Sequence, residues 1–185
     1  MPLLVAGLVL FIGVHLLPVL PRGRLAVVGR LGEKRYKGAF TLMSFAGLAL
    51  IVGGYAAAAP GARLFAPSRA VIAIAPYAMT LSLILFAAAN LRSHIRQFLK
   101  HPMLLGLGIW ASVHLLANGD TRGTVLFGSF LAFSVVDLLS AVQRHTAKPF
   151  TPSARHDLIA VAAGTLAALL VMVLHPFLFG VAVLG

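Results

Sequence analysis

The sequence predicts an all-α, polytopic integral membrane protein, a bundle of six transmembrane helices, on three observations. Apolar residues make up 60% of the 185 positions and charged residues only 10%. With a mean hydropathy of +0.99, the chain lies far outside the range of soluble domains. Its apolar residues also fall into six runs close to the roughly 20 residues a helix needs to cross a hydrocarbon core. These runs do not alternate and are about twice as long as barrel strands, the only strands that span lipid. Little chain remains outside them, so residues 1–185 read as a single transmembrane domain.

The first run, 2–20, has no Lys or Arg before its apolar stretch and no small-x-small site after it. It therefore reads as an uncleaved span rather than a secretory signal. Loop Pro21 to Lys37 is the longest and most charged, and its Leu31, Gly32, Glu33 and Tyr36 predict an amphipathic interfacial piece. The second run, 38–59, sets Ala49 and Gly53 at a four-residue spacing that lets helix backbones approach. The third covers 70–90. The fourth, 102–118, opens on Pro102, which suits a first helical turn. Asn118, Gly119 and Asp120 supply turn residues, so the fourth run and the fifth, 123–142, should form a tight antiparallel hairpin. The sixth, 157–184, repeats the small-residue spacing at Gly164 and Ala168.

The net charge of +11 orients the chain. Twelve of the fifteen Lys and Arg residues lie in the loops after spans one, three and five; only Arg63, Arg69 and Arg122 lie in the alternate loops. By the positive-inside rule the crowded loops are cytoplasmic and both termini are on the outer, periplasmic side. The same charges can touch anionic lipid, and nucleic acid is a poor partner for a chain so apolar. Cysteine is absent, which excludes disulfides, thiolate nucleophiles, iron–sulfur clusters and covalent haem attachment.

Ionisable side chains are costly in hydrocarbon and mark functional sites. His15, His114 and His175 lie within spans, and His101 lies at the edge of the fourth. At a rise of about 1.5 Å per residue, His15 sits on the order of 10 Å below the cytoplasmic charge boundary at Arg22. Asp137, seven residues before Arg144, shares that level. It could hydrogen-bond His15 and fix the tautomer of a ligating imidazole, or pair with an arginine at the cytoplasmic face. His114 lies about 18 Å up from Pro102, and His175, eighteen residues past Asp157, reaches a similar or slightly higher level, so the two are the better matched pair in depth. Trp110 lies one turn before His114 on the same face, where it could line a flat cofactor or simply pack. His101 reads more as an interfacial cap, and His94, His145 and His156 as solvated loop residues. Only four acidic residues occur, with no G-x-S-x-G, H-E-x-x-H or Walker motif, so no catalytic residue can be named and hydrolytic and nucleotide chemistry are disfavoured. Gly106 and Gly108 read as packing positions.

Several blocks carry a resemblance: Leu31-Gly32-Glu33 followed by Tyr36-Lys37-Gly38, Gly53-Gly54-Tyr55, His101-Pro102-Met103-Leu104-Leu105-Gly106, and Trp110 leading to His114-Leu115-Leu116-Ala117-Asn118-Gly119. With His15 and His175, they make nearly the whole chain resemble the NnrU family of bacterial membrane proteins. The resemblance implies an inner-membrane protein linked to denitrification, that is, to nitrite and nitric oxide metabolism. The same superfamily includes the zeta-carotene isomerase, a haem b enzyme. Carried over by position, its haem-ligating histidines resemble His15 and His114 here, and its H-P block resembles His101 with Pro102. The resemblance thus prefers His15 with His114 as axial ligands, where depth prefers His114 with His175.

The leading expectation is a b-type haem held by His15 and His114, with Asp137 or Trp110 beside it. The rival readings are a cis-trans isomerase of a polyene or other lipophilic substrate, a small-molecule or ion transporter using Asp137 and the histidines, and an assembly partner of respiratory or denitrification proteins.

Overall fold

The structure, a computed structural model, describes residues 1–181 and 183; the end of the sixth run at Leu184 lies outside the described residues. Among these residues there are eight helices and no strand: α1 (Pro2–Leu16), α2 (Pro21–Leu31), α3 (Glu33–Ala57), α4 (Arg69–Ala88), α5 (His94–Leu99), α6 (Pro102–Asn118), α7 (Thr121–Gln143) and α8 (Ala154–Phe179).

Four of them, α3, α4, α7 and α8, are long and apolar enough to cross a membrane. The pair α1 and α2 makes a fifth only if counted as one broken span, because the chain turns by 91° between them. The predicted first span is shorter than expected for a physical reason. Pro18 and Pro21 remove backbone donors where the apolar run continues, so α1 stops at Leu16. At 15 and 17 residues, α1 and α6 reach about 22 and 26 Å, short of a hydrocarbon core of about 30 Å. The spanning helices carry large apolar side chains on their outer faces, Leu42 and Phe45 on α3 and Leu166 and Phe177 on α8 among them. Such continuous apolar surface suits lipid rather than water.

The chain divides into two compact units, Met1–Phe65 with Gly119–Phe133, and Ala66–Asn118 with Ser134–Gly185. In the first unit α1 and α3 run antiparallel with their backbones in near contact: Leu4 lies against Gly54, Gly7 against Ile51, and Phe11 against Gly47. A Cβ added at Gly7 would lie 2.6 Å from the Ile51 amide nitrogen, and one at Gly47 would lie 2.9 Å from that of Phe11. The close-approach face of α3 is thus Gly47, Ile51 and Gly54, not Ala49 and Gly53 as the spacing predicted; Gly53 faces open space. After the bend, Gly32 (φ 78°) turns α2 into α3. There Glu33 takes Arg24 at 3.0 Å and Lys37 at 3.4 Å, and the Arg24 guanidinium lies over the Tyr36 ring. These contacts are exposed and worth at most about 1 kcal/mol each. They agree with a structured, basic segment where the sequence predicted an interfacial piece.

In the second unit α4 packs against both α6 and α8. Fully buried Ser82 donates to the Gly106 carbonyl at 2.8 Å, an interhelical hydrogen bond that Gly106 makes reachable by having no side chain. On α8, Ala160, Gly164 and Ala168 form a buried stripe at four-residue spacing, with Gly164 against the Ile84 backbone. Here the small-residue reading of the sequence holds. Helix α5, capped by buried Ser93, was not foreseen. Gly119 and Asp120 make the turn between α6 and α7, and Gly119 adopts a left-handed φ of 74°.

Adjacent glycines on α3 give a direct test. Gly54→Ala should destabilise the protein by about 1–3 kcal/mol, because the added methyl meets the Leu4 backbone. Gly53→Ala should be neutral or stabilising by up to about 1 kcal/mol, through helix propensity alone. Thermal unfolding in detergent, followed by helical circular dichroism, reads both.

Candidate functional site

His15 occupies the last turn of α1, where Phe11, four residues earlier, shares its helix face. Its Nδ1–H donates to the Phe11 carbonyl at 2.7 Å. The Phe11 ring stacks on the imidazole at 4.2 Å, Phe40 of α3 lies at 5.0 Å, and Phe133 of α7 meets it edge-on at 6.3 Å. A carbonyl oxygen can only accept, so Nδ1 carries the hydrogen and the neutral ring keeps its lone pair on Nε2. Histidines that ligate metals are commonly held in this way, with the far nitrogen fixed by an acceptor.

His114 repeats the arrangement on α6. Its Nδ1–H donates to the Trp110 carbonyl at 2.9 Å, the indole lies 5.1 Å away, and the Asn118 amide caps the His114 carbonyl at 2.6 Å. Trp110 and His114 thus share a face, as their spacing predicted. His175 on α8 donates from Nδ1 to Val181 at 2.8 Å, a contact made when Gly180, in a left-handed conformation, turns the chain back, and Phe179 lies 4.8 Å from the imidazole.

His101 stands outside the helices, between α5 and α6, in the wall of an open groove with Arg96, Lys100 and Lys148. Burial holds its imidazole below the usual histidine range; Asp137 opposes that shift and Lys100 adds to it. Asp137 also faces Arg144 at 4.0 Å, the arginine pairing that was one of its two readings, while the Nδ1–H of His15 goes to Phe11.

Two charged contacts had no sequence signal. Arg122, counted only as a loop charge, donates to the carbonyls of Tyr55 and Ala58 at 3.2 and 2.8 Å and lies 4.2 Å over the Tyr55 ring. It thereby caps the C-terminal end of α3. His94, read as solvated, bonds Asp157 at 2.6 Å, and the same carboxylate accepts from the Ile95 amide at 3.1 Å. This pair ties the start of α5 to the first turn of α8.

Among the described residues no three His, Asp or Glu side chains converge to hold a bare metal ion. A haem makes a smaller demand: its porphyrin nitrogens occupy the equatorial positions, and the protein supplies axial ligands. The donor chemistry of His15, His114 and His175 fits that demand, and their aromatic neighbours suit a flat apolar ring.

The setting of His101 makes a signed prediction. Its titration, followed by NMR of the ring protons, should fall below that of free histidine. Asp137→Asn should move it further down by removing an attractive charge, and Lys100→Gln should move it up.

The family model described as NnrU protein matches residues 3–183. Neither a curated protein nor a solved structure gives a significant match. The match takes in α1 with His15, the His101-Pro102 junction, α6 with Trp110 and His114, and α8 with His175. The chain belongs to the NnrU family.

Proposed function

We propose that this NnrU-family protein binds a non-covalent b-type haem in the bacterial inner membrane, with His15 as first candidate ligand and His114 as second. The observation that carries the reading is the setting of His15: an imidazole within an apolar run, its Nδ1–H taken by the Phe11 carbonyl, ringed by Phe11, Phe40 and Phe133. Hydrogen bonding to a main-chain carbonyl leaves Nε2 as the basic nitrogen, the state in which an imidazole ligates iron. His114 is prepared in the same way by Trp110, and His175 by Val181. Haem, when bound, would supply one-electron chemistry, in keeping with the nitrite and nitric oxide metabolism that the family resemblance implies.

The reading includes six crossings with both termini outside. The distribution of Lys and Arg supports it, and a bilayer can thin locally around α1 and α6 at fractions of a kcal/mol per Å.

The full-length protein, purified in detergent and supplied with haem, should show a Soret band that His15→Ala and His114→Ala each shift or abolish. His101→Ala should leave it intact. No Soret absorbance after haem supplementation contradicts the proposal. For topology, alkaline phosphatase fused at the C-terminus should be active, as only an outer-side enzyme is; an inactive but stable fusion removes the six-span arrangement.

A further inference from the structure

The second unit holds a further candidate site. A groove of about 600 Å³ opens between two walls of the second unit: Arg96, Lys100 and His101 on one side, and Thr146, Lys148 and Phe150 on the other. The Arg96 guanidinium lies 5.1 Å over the Phe150 ring, which holds it in place on an apolar floor.

Among the described residues no carboxylate forms an ion pair with the arginine or the lysines of this groove, and Asp137 acts only on its histidine, His101. All four acids of the sequence are engaged elsewhere: Glu33 with Arg24 and Lys37, Asp157 with His94, Asp137 facing Arg144, and Asp120 accepting from the Gly123 amide. Among the described residues Arg96, Lys100 and Lys148 have no acidic partner. Three permanent cations around one cleft repel each other and concentrate anions. The backbone is strained on both sides as well. Lys100 (φ 62°) and His145 (φ 51°), the residue before Thr146, are the non-glycine residues at positive φ among those described. Conformations of that kind persist where a site requires them.

We infer that this groove binds the phosphate of an anionic phospholipid headgroup. A guanidinium fork with two lysines matches a phosphodiester in charge and geometry. Phe98, two residues before Lys100 in the sequence, and Met103, two residues after His101, are 85% and 47% exposed, apolar side chains that acyl chains can meet. Basic pockets between helices at the cytoplasmic end of a membrane protein take anionic headgroups in this way.

Native mass spectrometry of the detergent-purified full chain, offered equal amounts of phosphatidylglycerol and phosphatidylcholine, tests the inference. The wild type should retain phosphatidylglycerol in preference, by roughly tenfold or more. Arg96→Gln, Lys100→Gln and Lys148→Gln combined should abolish the preference. The loop substitution Lys148→Glu alone, which leaves every helix untouched, should lower it several-fold. A control of equal charge, Arg22→Gln, Arg30→Gln and Arg35→Gln, should leave it unchanged. No preference in the wild type, or an equal loss in the control, overturns the inference. Retention of the lipid in excess inorganic phosphate supports the headgroup as ligand; displacement by that ion assigns the groove to soluble phosphate and overturns the lipid assignment.

Discussion

In hydrocarbon no water is at hand to satisfy a polar group, so each such group must find its partner within the chain. That constraint accounts for most specific features of this protein. Ser82 reaches the Gly106 carbonyl, Arg122 covers the carbonyls that end α3, and His15, His114 and His175 each give an Nδ1–H to a main-chain oxygen. Those last bonds have a second consequence. By occupying Nδ1 they define Nε2 as the basic atom of each ring, and an arrangement that satisfies one nitrogen prepares the other.

Packing follows from the same absence of water. Lipid tails are as apolar as leucine, so burying leucine against leucine yields little, and close van der Waals contact between backbones takes its place. Gly7, Gly47 and Gly54 allow it between α1 and α3; Gly106, Ala160, Gly164 and Ala168 allow it around α4. Large apolar side chains such as Leu42, Phe45, Leu166 and Phe177 are left exposed on the outer faces, as suits lipid. In each unit, then, small residues form the contact and large ones the periphery.

What the sequence could reveal was position along each helix, because counting residues measures it. The apolar runs, the histidines within them, and the shared face of Trp110 and His114 were all legible on that basis. Rotation about the helix axis was not: a four-residue spacing fits Ala49 with Gly53 as well as any other pair, and only the neighbouring helix selects Gly47 and Gly54. For the same reason Phe11 could be read as a neighbour of His15, whereas Phe40 and Phe133 arrive from distant helices. The break after Leu16 was signalled by Pro18 and Pro21, yet the apolar run continues through it to Leu20 and hid it. His94 and Asp157 are 63 residues apart, and no local pattern links them.

The central claim is that an imidazole held in this way serves iron. Low-temperature electron paramagnetic resonance of the haem-loaded ferric protein tests it most directly, since the spectrum reports the atoms bound along the haem axis. The account predicts a low-spin signal of nitrogen ligation that converts to high spin in His15→Ala. A high-spin signal in the wild type, unchanged by that substitution, would contradict it.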